Sequence, residues 1–171
     1  MDSLDFIMSR RSIRKYSGRK VEEDKVQLLL RAAMAAPSAG NQQPWHFAVI
    51  RDRGVLEGLA AASPHAGMLS EAPLGVVVCG DTLQEKYPGY WVQDCSASTE
   101  NLLLAAHALG LGAVWLGFYP REDRVQKAAD ILGLPEGIIP FAVIPIGYPA
   151  ESKEAADRYD PSRIHFDRWQ S

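Results

Sequence analysis

The chain has 171 residues, 47% of them hydrophobic and 23% charged, with a net charge of −3. That suits a single domain able to bury its core without metal or disulfide help. The lack of a basic surplus argues against a general nucleic-acid binder, though not against a local basic pocket.

Cys79 and Cys95 each lie in an apolar stretch, with no Cys-x-x-Cys spacing and no nearby histidine. They are expected to be small buried hydrophobes in a reducing cytoplasm, not a secreted disulfide scaffold. The start, Met1-Asp2-Ser3-Leu4-Asp5, is acidic, so no signal peptide is expected. Apolar runs such as Leu102 to Leu111 are too short to span a bilayer, so a soluble cytoplasmic protein is expected.

A short helix is predicted first, capped by Asp2 or Ser3, with Leu4, Ile7 and Met8 inward. A second helix starts near Glu22. Val26, Leu29, Leu30, Ala33 and Met34 fall on one face of it, and Pro37 and Gly40 follow its end. His46 to Arg51 is a predicted strand, Arg53 to Ala61 a short helix and Leu74 to Cys79 a buried strand. The longest helix is predicted from Val92 to Leu109, with Val92, Cys95, Thr99, Leu102, Ala106 and Leu109 along one seam. Its other face carries Leu103, Leu104 and Ala105, as expected of a helix buried centrally or at a subunit interface. Ala113 to Phe118 is a predicted strand, Arg121 to Leu132 a helix and Ile138 to Ile146 a long strand. The polar tail from Pro149 ends with Ile164, Phe166 and Trp169, which suggests docking on its own core or on a partner subunit. The pattern is α+β in one domain, residues 1–171.

Three clusters carry candidate chemistry. Arg10-Arg11-Ser12-Ile13-Arg14-Lys15-Tyr16 is either a cation-decorated helix end or a phosphate cradle. In extended chain Arg10, Ser12 and Arg14 would point the same way. Pro37-Ser38-Ala39-Gly40-Asn41-Gln42-Gln43-Pro44-Trp45 concentrates three amides and a hydroxyl in one turn, the bifunctional partners that the edge of a flat heteroaromatic cofactor needs. Gly110-Leu111-Gly112-Ala113-Val114-Trp115-Leu116-Gly117 follows a helix and enters a strand, the reverse of a Rossmann turn, so that fold is rejected. Gly117 is either a point of close backbone approach or a plain β-bulge. There is no Walker loop, no Gly-x-Ser-x-Gly elbow and no His-Glu-x-x-His, and His46, His65, His107 and His165 are scattered.

In this order the clusters resemble the FMN-dependent nitroreductase family. The resemblance runs from Arg10-Arg11-Ser12-Ile13-Arg14 through Pro37 to Trp45 and Gly110 to Gly117, then to Gly147-Tyr148-Pro149, Arg158 and His165-Phe166-Asp167-Arg168-Trp169. It implies a central, mostly antiparallel sheet of four to five strands flanked by helices. It also implies an intertwined homodimer with FMN in the subunit interface, the long helix as dimer core and the tail, about 150–171, embracing the partner. By this resemblance Arg10, Ser12 and Arg158 hold the FMN phosphate with help from Arg11, and Arg14 meets the pyrimidine edge of the flavin. Pro37, Ser38, Ala39, Asn41 and Gln43 would contact the ribityl chain or ring from the other subunit, and Leu116 and Gly117 would line the ring.

The implied activity is ping-pong transfer through flavin N5, from NADH or NADPH to a nitroaromatic, quinone or related small acceptor, with no side-chain nucleophile or general base. Specialised chemistry on the same fold (dehydrogenation, dehalogenation, flavin breakdown) and a non-catalytic flavin-binding module are the alternatives. The connection from Asp81 to Trp91 is short, and Tyr87, Tyr90 and Trp91 are equally expected as pocket aromatics or as core.

Overall fold

The computed structural model describes residues 3–169. The helices are α1 (Ser3–Ser9), α2 (Glu23–Met34), α3 (Arg53–Ala61), α4 (Trp91–Ala108) and α5 (Glu122–Leu132). The strands are β1 (Trp45–Ile50), β2 (Leu74–Asp81), β3 (Gly112–Ala113), β4 (Leu116–Gly117) and β5 (Ile138–Gly147). Three short turns of 3-10 helix, at Ala39–Asn41, Gly67–Ser70 and Pro161–Arg163, were not anticipated. The helix cap expected of Asp2 or Ser3 lies outside the described side chains.

All strand pairs are antiparallel, in the order β1-β2-β5-β3, with β4 also on β5. The sheet is covered on both faces. Val76 and Val78 of β2 and Ala142, Ile144 and Ile146 of β5 pack with α2 and α4. Val77, Cys79 and Val143 point the other way, into a core with Leu56 and Leu59 of α3 and Ala128 of α5. This explains why β2 and most of β5 are continuous apolar runs, whereas an antiparallel strand with one wet face would alternate. Cys79 and Cys95 are buried free thiols, and burial pushes each up to about 12.

The single strand predicted over Ala113 to Phe118 is two short ones, and its interruption has a local cause. Ala113 faces Ile146 and Leu116 faces Val143, so one register runs through both pieces. In that register Val114 faces Pro145, which has no N–H to give. A bulge in the β2–β5 ladder leaves Phe141 unpaired, and its carbonyl accepts from the N–H groups of Phe118 and Tyr119, which ties down the end of β4.

Two further expectations are corrected. Leu4, Ile7 and Met8 of α1 are more than half exposed, because the helix packs through Phe6, stacked on His107 of α4 at 5.1 Å, and Ser9, 3.0 Å from His107 Nε2. On α2 Val26, Leu29 and Ala33 are buried as expected, but Leu30 is only half-buried and Met34 faces out. α4 buries Cys95, Thr99, Leu102, Leu103 and Ala106, while Leu104 and Ala105 stay half-exposed. The tail does not return to the chain's own core. Phe166 and Trp169 are 77% and 83% exposed, with Trp169 stacked on His165.

Candidate functional site

The basic cluster is placed by the sheet. Ser12 forms a parallel bridge with Ala113, and the Ile13 N–H donates to the Ala113 carbonyl at 3.0 Å. The segment therefore lies along the edge of β3 with Ile13 buried inward. Gly112 is required here, since a Cβ on it would press on the Ile13 side chain. Further on, Tyr16 bridges Pro149, and its buried hydroxyl donates to the carbonyls of Ile13 and Pro145. Burial pushes the Tyr16 hydroxyl well above the usual tyrosine range, so it stays a donor.

Arg10, Arg11, Ser12, Arg14 and Arg158 come together around one depression of about 340 Å³, joined by Lys153 and Glu154. Four of them, Arg10, Arg11, Ser12 and Arg158, are the residues expected at a phosphate, and Arg14 is the one expected at the pyrimidine edge of a flavin. Among the described residues the guanidinium groups of Arg14 and Arg158 have no ion pair. Arg11 is anchored by donating Nη2 to the Met8 carbonyl, while its buried Nε has no partner. Arg10 pairs with Glu100 at 3.3 Å, but Glu100 is 45% exposed. Such an exposed pair is worth about 0–1 kcal/mol, against about 1.5–3 kcal/mol for each hydrogen bond to a charged group, so an anion outcompetes it.

Lys153 was missed by sequence reasoning, which treated the tail as merely polar. It donates to the Ser12 carbonyl at 2.8 Å and pairs with Glu151 at 3.2 Å. Glu151 also accepts from the Arg14 N–H at 2.5 Å, and this hydrogen bond, ahead of Lys153, holds its carboxyl below the usual range. The beginning of the tail is thus clamped to the basic segment. Its clue was the charged run Glu151-Ser152-Lys153 shortly after the Gly147-Tyr148-Pro149 turn.

Arg14 also lines a second depression of about 490 Å³, together with Trp115, Leu116, Gly117, Arg124 and the turn from Ser63 to Met68. Leu116 and Gly117, expected against a flat ring, therefore meet Arg14 there. The nearest atom that a Cβ on Gly117 would find is Tyr119 O at 4.0 Å, so no close contact among the described residues accounts for the glycine. Arg124 donates to the Gly117 carbonyl at 3.2 Å. Sequence reading missed Arg124 and the 63–68 turn, for which the Pro64–Gly67 punctuation was the signal.

Pro37, Ser38, Ala39, Asn41 and Gln43 line neither depression. Their loop is rigid in its own right. Gly40, Asn41 and Gln43 all have positive φ, the Gln43 N–H donates to Ser38 Oγ, and Gln43 Nε2 donates to Asn41 Oδ1. Gln42 points inward, to Asp94 of α4. The chain thus brings together the proposed phosphate and ring contacts and holds the amide loop apart from them.

Chemically, a cationic corner beside a shallow, mostly uncharged wall can take a phosphorylated flat aromatic molecule, phosphate at one end and ring at the other. Among the described residues no helix is long and apolar enough to cross a membrane.

Residues 7–81 and 61–148 match the model of the nitroreductase family. A protein of Methanothermobacter thermautotrophicus, provisionally named an NADH dehydrogenase/NAD(P)H nitroreductase, is 52% identical over 169 residues, 99% of this chain and 88% of its own. The crystal structure of a protein from Parabacteroides distasonis with the same provisional name superposes with a TM-score of 0.95 at 43% identity, over 99% of both chains. A provisionally named nitroreductase from Desulfovibrio desulfuricans, solved in complex with FMN, gives 0.85 at 33% identity, again over 99% of both chains. In sequence and in fold, the chain belongs to the nitroreductase family.

Proposed function

We propose that the chain is an FMN-dependent NAD(P)H oxidoreductase, working in the cytoplasm as a homodimer with two flavin sites at the subunit interface. The observation that carries this reading is the pair of depressions meeting at Arg14, one cationic and one bordered by the open Gly117. The residues present fit FMN: the Arg158 guanidinium, without an ion pair among the described residues, and an orphaned Arg11 Nε suit a phosphate, the Arg14 guanidinium suits the ring edge, and the space over Gly117 suits a ring.

When bound, FMN supplies hydride acceptance at N5 from NADH or NADPH and passes the electrons on to a nitroaromatic, quinone or related small acceptor. Arg10, Arg11, Ser12 and Arg158 hold the phosphate, with Lys153 added to that set. Arg14 places positive charge where a reduced pyrimidine edge becomes negative, which stabilises the reduced form. Leu116 and Gly117 line the ring. Pro37, Ser38, Ala39, Asn41 and Gln43 serve the partner's cofactor, which accounts for their distance from both depressions. The exposed apolar side chains of α1 and the exposed tail aromatics supply the dimer contact, since isolated monomers rarely leave such groups in water. The two free thiols suit a reducing compartment.

The test is the visible spectrum of the purified protein before and after anaerobic NADH or NADPH. A flavin spectrum that bleaches is expected. A flavin that stays oxidised overturns the reductase reading in favour of specialised flavin chemistry or a carrier, and a colourless protein that takes up no FMN overturns the cofactor assignment.

A further inference from the structure

A chain of hydrogen bonds joins the amide loop to the segment between β2 and α4. Asp94, only 4% exposed, accepts from the Ala39 N–H at 2.9 Å and from Gln42 Nε2 at 2.7 Å. The other end of the same amide, Gln42 Oε1, accepts from the N–H groups of Lys86 at 3.0 Å and Tyr87 at 3.2 Å. Beside this relay the Cε2 edge of the Tyr87 ring abuts Gly40, where any Cβ would overlap it, and Gly40 has a left-handed φ of 52°. The overlap excludes a side chain, and the left-handed φ adds to the preference for glycine.

Chemistry restricts position 42 as well. The side chain must present a donor to a carboxylate and an acceptor to two backbone N–H groups at once, which an amide does and a carboxylate or a hydrocarbon does not. Asp94 is nearly buried, so losing either of its donors leaves a charge poorly compensated, and the geometry is strongly enforced. The base of the same segment is fixed separately, by Asp81 accepting from the Leu83 and Gln84 N–H groups and from Gln84 Nε2. Glu85 accepts from the N–H groups of Gly89 and Trp91 at its far end. Tyr87 is nonetheless half exposed, with the Cε2 edge of its ring against Gly40.

We propose that Gln42, oriented by buried Asp94, is a positioning residue that holds Tyr87 as a stacking wall of the acceptor pocket and so favours flat aromatic acceptors. This rests on the reading that the amide loop meets a flavin, because only then does a ring set against Gly40 stand beside the reacting face. Two loops that frame the site thereby move as one unit, coupled through a single side chain. An aromatic acceptor gains from an offset stack on Tyr87, and a small inorganic oxidant needs no such surface.

The experiment exchanges the donor and acceptor groups. Gln42→Glu sets two carboxylates against each other, and Asp94→Asn turns an amide N–H toward an amide N–H. The double variant Gln42→Glu/Asp94→Asn restores a complementary set. In flavin-free protein at pH 8, hydrogen exchange should lose protection at the Lys86 and Tyr87 amides in each single variant and regain it in the double. In flavin-loaded protein reduced with dithionite, reoxidation by 1,4-naphthoquinone, which takes two electrons and two protons to the hydroquinone, should slow about tenfold in each single variant and recover in the double. Reoxidation by two equivalents of ferricyanide should not change. A double variant no better than the singles overturns the relay, and equal slowing with both oxidants overturns the acceptor role. Should the single variants not fold, Tyr87→Leu decides the acceptor role: unchanged naphthoquinone turnover there overturns it. Failure of the wild-type chain to take up FMN sinks the cofactor reading and the acceptor role with it, while the exchange pattern still decides the relay.

Discussion

The basic corner and the amide loop are built in opposite ways. The corner draws on residues from Arg10 to Arg158, nearly the full length of the chain, and is pinned to the sheet edge through Ser12 and Ala113. Part of its donor set is left unspent, with the Arg14 and Arg158 guanidinium groups outside any ion pair among the described residues. The 37–43 loop is contiguous and its side-chain hydrogen bonds are internal or made to Asp94 and to the Lys86 and Tyr87 N–H groups. A region with unspent donors is waiting for a ligand, while a region already satisfied supplies shape to something placed against it. On the proposed reading the two belong to different sites of one dimer, the corner to its own flavin and the loop to the partner's.

The largest effect expected from breaking this contrast is at the corner. Arg10→Ala with Arg158→Ala should weaken FMN binding by about a hundredfold or more, as the loss of two charge-assisted contacts requires. Sedimentation should still report a folded dimer. Stoichiometric flavin in the double variant would refute the phosphate assignment.

A mixed dimer sharpens the contrast. One subunit carries Arg10→Ala/Arg158→Ala and its partner carries Asn41→Ala/Gln43→Ala. If loop and corner serve different sites, both defects fall in one site and the other is intact, so differentially tagged heterodimers should hold about half the flavin of wild type. If loop and corner act within one subunit, both sites are damaged and the flavin is lost.

The smallest effect concerns the clamp between the two regions. Glu22, at the start of α2, accepts from the Tyr148 hydroxyl at 2.6 Å, Lys25 Nζ donates to the same hydroxyl at 2.8 Å, and Arg19 covers the ring at 4.0 Å. α2 leads into the amide loop and Tyr148 leads into the tail. The Tyr148 hydrogen bond, then the backbone and Arg19, lower the Glu22 carboxyl from 4.5 to about 2. Its folded-state value is depressed, so its contribution is fully present above about 4.5 and fades as pH falls toward about 2. Glu22→Gln should therefore lower Tm slightly at pH 7, with the difference vanishing near pH 2. The group is exposed, so the shift is small, and a difference independent of pH would show that the clamp is not electrostatic.

The sheet and its helices were legible wherever burial leaves a continuous trace. β2 and β5 announce themselves because apolar neighbours on both faces leave a run with no charged residue from Leu74 to Gly80 and from Ile138 to Gly147. α1 was misjudged for a physical reason: periodicity reveals that Leu4, Ile7 and Met8 share a face, but not which molecule covers it. The basic run from Arg10 to Arg14 could equally decorate a helix end, and it and Arg158 were assigned to FMN by the family resemblance, whereas Lys153 joins them only through the fold. Asp94 and Gln42 escaped notice because an acid in the first turn of a helix is explained by the helix dipole, and one amide among three carries no mark of facing inward.

The two-sided burial of β2 also has a cost during synthesis. Leu74 to Asp81 leaves the ribosome as a run rich in valine, while its central partner, Ile138 to Gly147, lies nearly sixty residues downstream. At about 5–20 residues per second that interval lasts several seconds. Through it the nascent segment offers an unpaired edge with no charge before Asp81, of the kind that seeds aggregates. β1 guards one side from the outset, so the order in which strands emerge, β1 before β2 and β5 last, limits the exposed edge to one. A chain permuted to begin at β2 would emerge with both edges bare.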